Sequence, residues 1–171
     1  MYNPPDDSHP EKDILLLTET LEPNTSSLKC LKVLVVDDNE DCQVLLSVIF
    51  QEYQAEAKIA GSVDEAIEIM EEWQSDVLIS DIYMGEKDGY SLIHSIREKE
   101  KLEGTFLPAI AFTAYAENRV EALEAGFQDV ILKPFEPDEL VELVAKLSSG
   151  TIHKSDKNRK ILQIYSKRHS G

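Results

Sequence analysis

The chain has 171 residues, of which 42% are apolar and 29% charged, and carries a formal net charge of −16. That length suits one domain with tails, and the charge argues against the chain as a whole seeking nucleic acid or anionic lipid. Cys30 and Cys42 form a single pair without metal-type spacing, and the four histidines are scattered, so neither a disulfide framework nor a zinc site is indicated.

Residues 1–30 hold six acids and two bases, with Pro4, Pro5, Pro10 and Pro23 among Ser, Thr and Asn. This stretch reads as a disordered or loosely docked acidic leader. Its Ile14-Leu15-Leu16-Leu17 run is far short of a signal peptide core or a membrane span and is flanked by acids. A soluble, cytoplasmic protein without membrane insertion is therefore expected.

From Leu31 the pattern changes to strands alternating with helical periodicity. After the strand LKVLVV, a helix is predicted over about Asp41 to Glu52, with Val44, Leu45, Val48 and Ile49 on its apolar face. Ala55 to Ala60 is a weaker strand. Ser62 followed by Glu65 makes a capping box that opens a helix through about Trp73. A strand over Asp76 to Ser80 leads through the Gly-bearing loop YMGEKDG to a helix from about Tyr90 to Glu100. Pro108 to Phe112 is a strand, Glu117 to Ala125 a helix ended by Gly126 as its C-cap, and Asp129 to Leu132 the last strand. Pro137 and Asp138 open a final helix through about Leu147.

Five strand-helix repeats with short connections imply an α/β fold, a doubly wound parallel sheet with helices on both faces, occupying residues 31–149. Residues 150–171 hold one acid and six bases, a basic C-terminal tail. Within it Ile161, Leu162, Ile164 and Tyr165 have helical spacing. The tail reads either as a flexible or folded-back segment, as a docking helix for a partner or as an autoinhibitory cover over the output face, and 22 residues are too few for a winged-helix output module.

Strands of a parallel sheet are buried on both faces, so their polar ends belong at the carboxyl edge, where open α/β sheets hold ligands. LKVLVVDD closes on Asp37 and Asp38, DVLISD on Asp81, LPAIAFT on Thr113 and DVILK on Lys133. Two ionised carboxylates about 4 Å apart repel by roughly 4 kcal/mol at an effective dielectric of about 20. A hard divalent cation offsets that repulsion, and an all-oxygen site suits magnesium (Mg2+). Asp81 can then act as nucleophile toward a phosphoryl group, with Lys133 pairing one oxygen and the Thr113 hydroxyl donating to another. Each residue also has a plainer reading: Asp81 as a strand-end cap, Asp38 as a helix cap, Thr113 as a core hydroxyl.

Taken together, Asp37-Asp38, Asp81, Thr113-Ala114 and Lys133-Pro134-Phe135, at separations of 43, 32 and 20 residues, resemble the receiver domain of two-component response regulators, of the chemotaxis-regulator type. The match covers about residues 31–148. The resemblance implies a flavodoxin-like five-stranded sheet of order 2-1-3-4-5. It further implies magnesium at Asp37, Asp38, Asp81 and the Tyr83 backbone carbonyl, a cis Lys133-Pro134 peptide, and phosphorylation of Asp81 by a histidine kinase or histidine phosphotransfer protein. Signalling would then pass to a downstream protein target or a phosphorylation-dependent dimer, with no direct nucleic-acid contact and no enzymatic turnover beyond self-phosphorylation and self-dephosphorylation.

Four positions depart from the family pattern or tune it. Val130 stands where receivers couple the threonine to an aromatic gate, and Gly85 stands where they usually carry proline. In receivers the positions of Tyr83 and Tyr115 border the path of the hydrolytic water, and two bulky side chains there imply slow self-dephosphorylation. Two other readings use the same residues. A haloacid-dehalogenase-type phosphatase would need a second Asp where Tyr83 stands. A receiver segment of a hybrid histidine kinase would need its kinase elsewhere, because this sequence has no phosphoacceptor histidine helix and no Gly-x-x-x-x-Gly-Lys loop.

Overall fold

The computed structural model describes residues 28–149. Most of the expected leader, and all of the expected basic tail with its helix, lie outside the described residues. Among the described residues ten elements alternate: β1 (Lys32–Val36), α1 (Glu40–Glu52), β2 (Glu56–Ala60), α2 (Val63–Glu72), β3 (Val77–Asp81), α3 (Gly89–Glu103), β4 (Ala109–Thr113), α4 (Asn118–Ala125), β5 (Asp129–Leu132) and α5 (Pro137–Ser148). The strands form one parallel sheet in the order β2-β1-β3-β4-β5.

Period-two alternation in the strands sorts their side chains into two cores. Leu34, Val36, Leu78, Ala109, Ala111 and Val130 face α2, α3 and α4, where Ala66, Leu92, Ile93 and Leu123 meet them. Val33, Val35, Val77, Ile79, Ile110 and Phe112 face α1 and α5, where Leu46, Phe50, Leu140 and Val144 meet them. Each fully buried Leu, Ile or Phe contributes about 1.5–3 kcal/mol relative to exposure, so covering both faces is what stabilises the sheet. The packed body also includes Leu28, three residues before the expected domain start.

Local signals set the helix ends. Ser62 accepts from the Glu65 amide, and the Glu65 carboxylate reaches back to the Gly61 amide, one residue before the N-cap. Asn39, rather than Asp38, caps α1 by accepting from the Cys42 amide at 2.9 Å. Gly104 ends α3 at φ +72°, so this helix runs three residues beyond the expected Glu100. Gly126 closes α4 as expected.

The apolar face of α1 is a correction. Leu46, Ile49 and Phe50 are its buried residues, whereas Val44, Leu45 and Val48 are 64%, 48% and 56% exposed. This helix carries apolar residues on two arcs, and periodicity alone does not say which arc the sheet covers. The 46, 49, 50 arc has i, i+3, i+4 spacing and meets the sheet. The other arc faces outward on a helix that contains no base and three acids, Glu40, Asp41 and Glu52.

Candidate functional site

The parallel order brings the ends of β1, β3, β4 and β5 to one edge, and Asp37, Asp38, Asp81, Thr113 and Lys133 fall there, whereas Val130 lies inside β5. Asp37, directly after β1, is fully buried, with Oδ1 accepting from the Asn39 amide at 2.9 Å and Oδ2 accepting from Lys133 Nζ at 2.7 Å. Asp81 ends β3, its Oδ1 accepting from the Tyr83 amide at 3.3 Å and its Oδ2 from the same Lys133 ammonium at 3.2 Å. Asp38 is exposed at the rim, yet one oxygen from each of Asp37, Asp38 and Asp81 lies within 4.8 Å of the others. Since Asn39 is the cap of α1, Asp38 is left to this cluster.

Lys133 follows β5 directly, and its peptide bond to Pro134 is cis, as the resemblance implied. Its ammonium lies 4.8 Å from the centroid of the Phe112 ring, which in turn packs edge-on against Phe135. This apolar seat limits access of water to the ammonium. Burial alone would lower the Lys133 pKa, but its hydrogen bond to Asp37 and the charges of Asp37 and Asp81 outweigh that, and the net shift is upward. The lysine is therefore a fixed cation at neutral pH.

Burial pushes the Asp81 carboxyl above the ordinary carboxylate range; the charge and hydrogen bond of Lys133 pull it back, Asp37 raises it, and the net is upward. Cys42, in the first turn of α1, is pushed up to about 12 by burial and by its hydrogen bond to Asp37. Its thiol stays protonated and offers no soft thiolate to a metal. The donor set is thus oxygen alone, with three acids against one ammonium, which fits a hard divalent cation such as magnesium.

Thr113 ends β4 and is fully buried. Its Oγ1 accepts from the Tyr115 amide at 3.2 Å and from Asn118 Nδ2 at 3.4 Å. Tyr83 and Tyr115 pack edge to face beside it, with centroids 5.5 Å apart and planes at 88°. Val130 is buried with Leu123 and Phe127 in the core on the α4 side. Gly85 has φ +27° with open space around it.

Sequence reasoning missed three participants. Asn118 links Tyr83 to Thr113, Cys42 leans on Asp37, and Gly89 lies where an added Cβ would come within 2.2 Å of the Asp81 carbonyl oxygen. Only Gly89 left a trace in the sequence, as the glycine just before a predicted helix. The other two contacts depend on how separate elements meet.

The model of the response regulator receiver domain family matches residues 33–145. Among curated proteins, the chain is 42% identical over 120 residues to an uncharacterized 14.6 kDa protein from the sodA1 3′ region of Leptolyngbya boryana, covering 69% of this chain and 90% of that one. It is 35% identical over 117 residues to the regulatory protein AtoC of Escherichia coli, covering 67% of this chain but only 24% of the relative. Among solved structures, response regulator TrrA of Thermotoga maritima, in complex with Mg(2+)-BeF, matches with a TM-score of 0.62 at 32% identity, over 68% of this chain and 98% of that one. The receiver domain of Ssk1 from Saccharomyces cerevisiae, crystallised with the histidine phosphotransfer protein Ypd1, shares the fold with a TM-score of 0.67 at 22% identity, over 77% of this chain and 97% of that one.

Proposed function

The chain belongs to the response regulator receiver domain family, and from that premise we propose that it is the phospho-accepting receiver of a two-component or phosphorelay system, with Asp81 as the acceptor. The observation that carries this reading is the shared ammonium: Lys133 Nζ lies 2.7 Å from Asp37 and 3.2 Å from Asp81, with Asp38 completing the acidic cluster.

In the transfer, an Asp81 carboxylate oxygen attacks the phosphorus of a phosphohistidine. The new O–P bond forms as the N–P bond breaks, and the electron pair leaves with the donor imidazole. Lys133 pairs a phosphoryl oxygen, and the Thr113 hydroxyl donates to another. Asp37, Asp38, Asp81 and the Tyr83 carbonyl would hold magnesium, which supplies neutralisation of the negative charge on the transferring group.

The donor is a histidine kinase or a histidine phosphotransfer protein. The exposed apolar arc of α1, Val44, Leu45 and Val48, begins six residues after Asp38 and supplies a face on which a donor helix can dock while its histidine reaches Asp81. A receiver partnered by such a protein is present among the structural neighbours. The chain has no turnover of its own beyond gain and loss of this phosphoryl group, works in the cytoplasm, and signals through protein contacts.

The test is incubation with magnesium and acetyl phosphate followed by intact mass. One added phosphoryl group, labile to base, dependent on magnesium and missing in Asp81→Asn, is expected. No adduct in the wild type under conditions where magnesium binds would overturn the reading.

A further inference from the structure

We propose that Asn118 is a positioning residue that pins the Tyr83 ring beside Asp81 and ties it to Thr113, so that a single side-chain amide governs water access to the aspartyl phosphate. This inference rests on the reading of Asp81 as phosphoacceptor.

Asn118 is the first residue of α4 and is only 6% exposed. A buried side-chain amide needs partners, and this one donates from Nδ2 to Tyr83 Oη at 3.0 Å and to Thr113 Oγ1 at 3.4 Å. Tyr83 follows β3 by two residues, whereas Asn118 opens the helix after β4. The Tyr83 side chain therefore spans from one loop of the carboxyl edge to the other. Tyr83 is 53% exposed, so without this bond little besides the edge contact with Tyr115 would fix the place of its ring.

The bond to Thr113 sets the direction of the threonine hydroxyl. With the Tyr115 amide and Asn118 both donating to Oγ1, the lone pairs are engaged and the hydroxyl proton is left to donate. A phosphoryl oxygen on Asp81 is the acceptor it would find. As Thr113 moves toward that oxygen the longer contact to Asn118 is the one to stretch, while the shorter contact to Tyr83 holds the ring in place. Val130 cannot play this part, because it is a buried aliphatic side chain with no polar atom to donate or accept.

Loss of the phosphoryl group requires water to attack phosphorus as the bond to the Asp81 oxygen breaks. Inorganic phosphate leaves with the water oxygen, and the carboxylate is restored. The Tyr83 amide lies 3.3 Å from Asp81 Oδ1 while its hydroxyl is held by Asn118, so a held ring would obstruct that line of attack and a released ring would not.

The experiment measures the half-life of the phosphorylated full chain in wild type, Tyr83→Phe, Asn118→Ala and the double variant. Tyr83→Phe keeps the ring and removes only the oxygen that accepts from Asn118. Each single variant should shorten the half-life roughly two- to tenfold, the range of one hydrogen bond, and the double variant should be no faster than either. A wild-type half-life in Tyr83→Phe, or a double variant whose effect is the product of the two singles, overturns the proposal. Nitrogen-15 spectra of the resting protein provide a second reading that needs no phosphorylation: the Asn118 side-chain amide resonances should move in Tyr83→Phe. If they do not move, the latch does not exist. If they move but wild type takes no phosphoryl group, the phosphoacceptor reading fails, and the gating role fails with it.

Discussion

Lys133, at the end of edge strand β5, donates to the buried carboxylate of Asp37 at the end of β1, across the ends of β4 and β3 and 96 residues away in sequence. The same ammonium contacts Asp81, so one cation offsets two of the three acids that the sheet brings together. The lysine therefore both stabilises the resting site and competes with any cation that enters it.

Replacing Lys133 by Met should lower stability in chelator by about 2 kcal/mol, because the buried Asp37 and the largely buried Asp81 lose their hydrogen-bonded counter-charge. The same substitution should raise magnesium affinity and make the gain in melting temperature on adding magnesium larger than in wild type. Thermal melts in chelator and across a magnesium titration check both effects; a smaller magnesium response in the variant would contradict the competition between lysine and metal.

Asp81 has a folded pKa above the ordinary carboxylate value. A group raised on folding adds stability that is fully present below its unfolded pKa and is lost as pH rises through the folded value. Ionised Asp81 therefore costs stability at neutral pH, and Asp81→Asn should unfold at higher urea than wild type at pH 7 in chelator. The advantage should shrink as pH falls toward about 4, where the unfolded carboxyl takes its proton. An Asn variant weaker than wild type at pH 7 would count against burial as the dominant cause.

Two glycines beside the site should respond differently to alanine. At Gly89 an added Cβ would lie 2.2 Å from the Asp81 carbonyl oxygen and 3.0 Å from the Ile82 Cα, both backbone, so β3 and α3 must separate. Gly89→Ala should cost at least about 2 kcal/mol and slow phosphoryl acceptance by moving Asp81. At Gly85 nothing lies within 4 Å, and only the positive φ opposes a side chain, so Gly85→Ala should cost about 1 kcal/mol or less. Denaturant midpoints for the pair separate steric clash from backbone preference.

The exposed arc of α1 should matter to the donor and not to the fold. Val44→Lys with Val48→Lys alters residues that are 64% and 56% exposed, so the melting temperature should stay within a degree or two. Phosphoryl transfer from a phosphotransfer protein should slow tenfold or more, while the reaction with acetyl phosphate keeps its rate. Equal slowing of both donors would place the defect in the site rather than in docking.

The order of elements, the parallel sheet and four of the strand-end chemistries were legible before folding, because hydrophobic periodicity and a polar residue at each strand end are local facts. Ser62 and Gly126 announced helix boundaries for the same reason, since a cap acts within one turn. Tertiary structure decided what local pattern left open. Val44, Leu45 and Val48 looked as apolar as Leu46, Ile49 and Phe50, and only the position of α1 over the sheet selected which arc is covered. Asn39 rather than Asp38 caps α1, which leaves Asp38 beside Asp37 and Asp81. Asn118 carried no signal at all in the sequence. Its partners, Tyr83 and Thr113, lie 35 and 5 residues away, and an asparagine at a helix start is common, so the bond between two loops exists only because β3 and β4 are neighbours in the sheet.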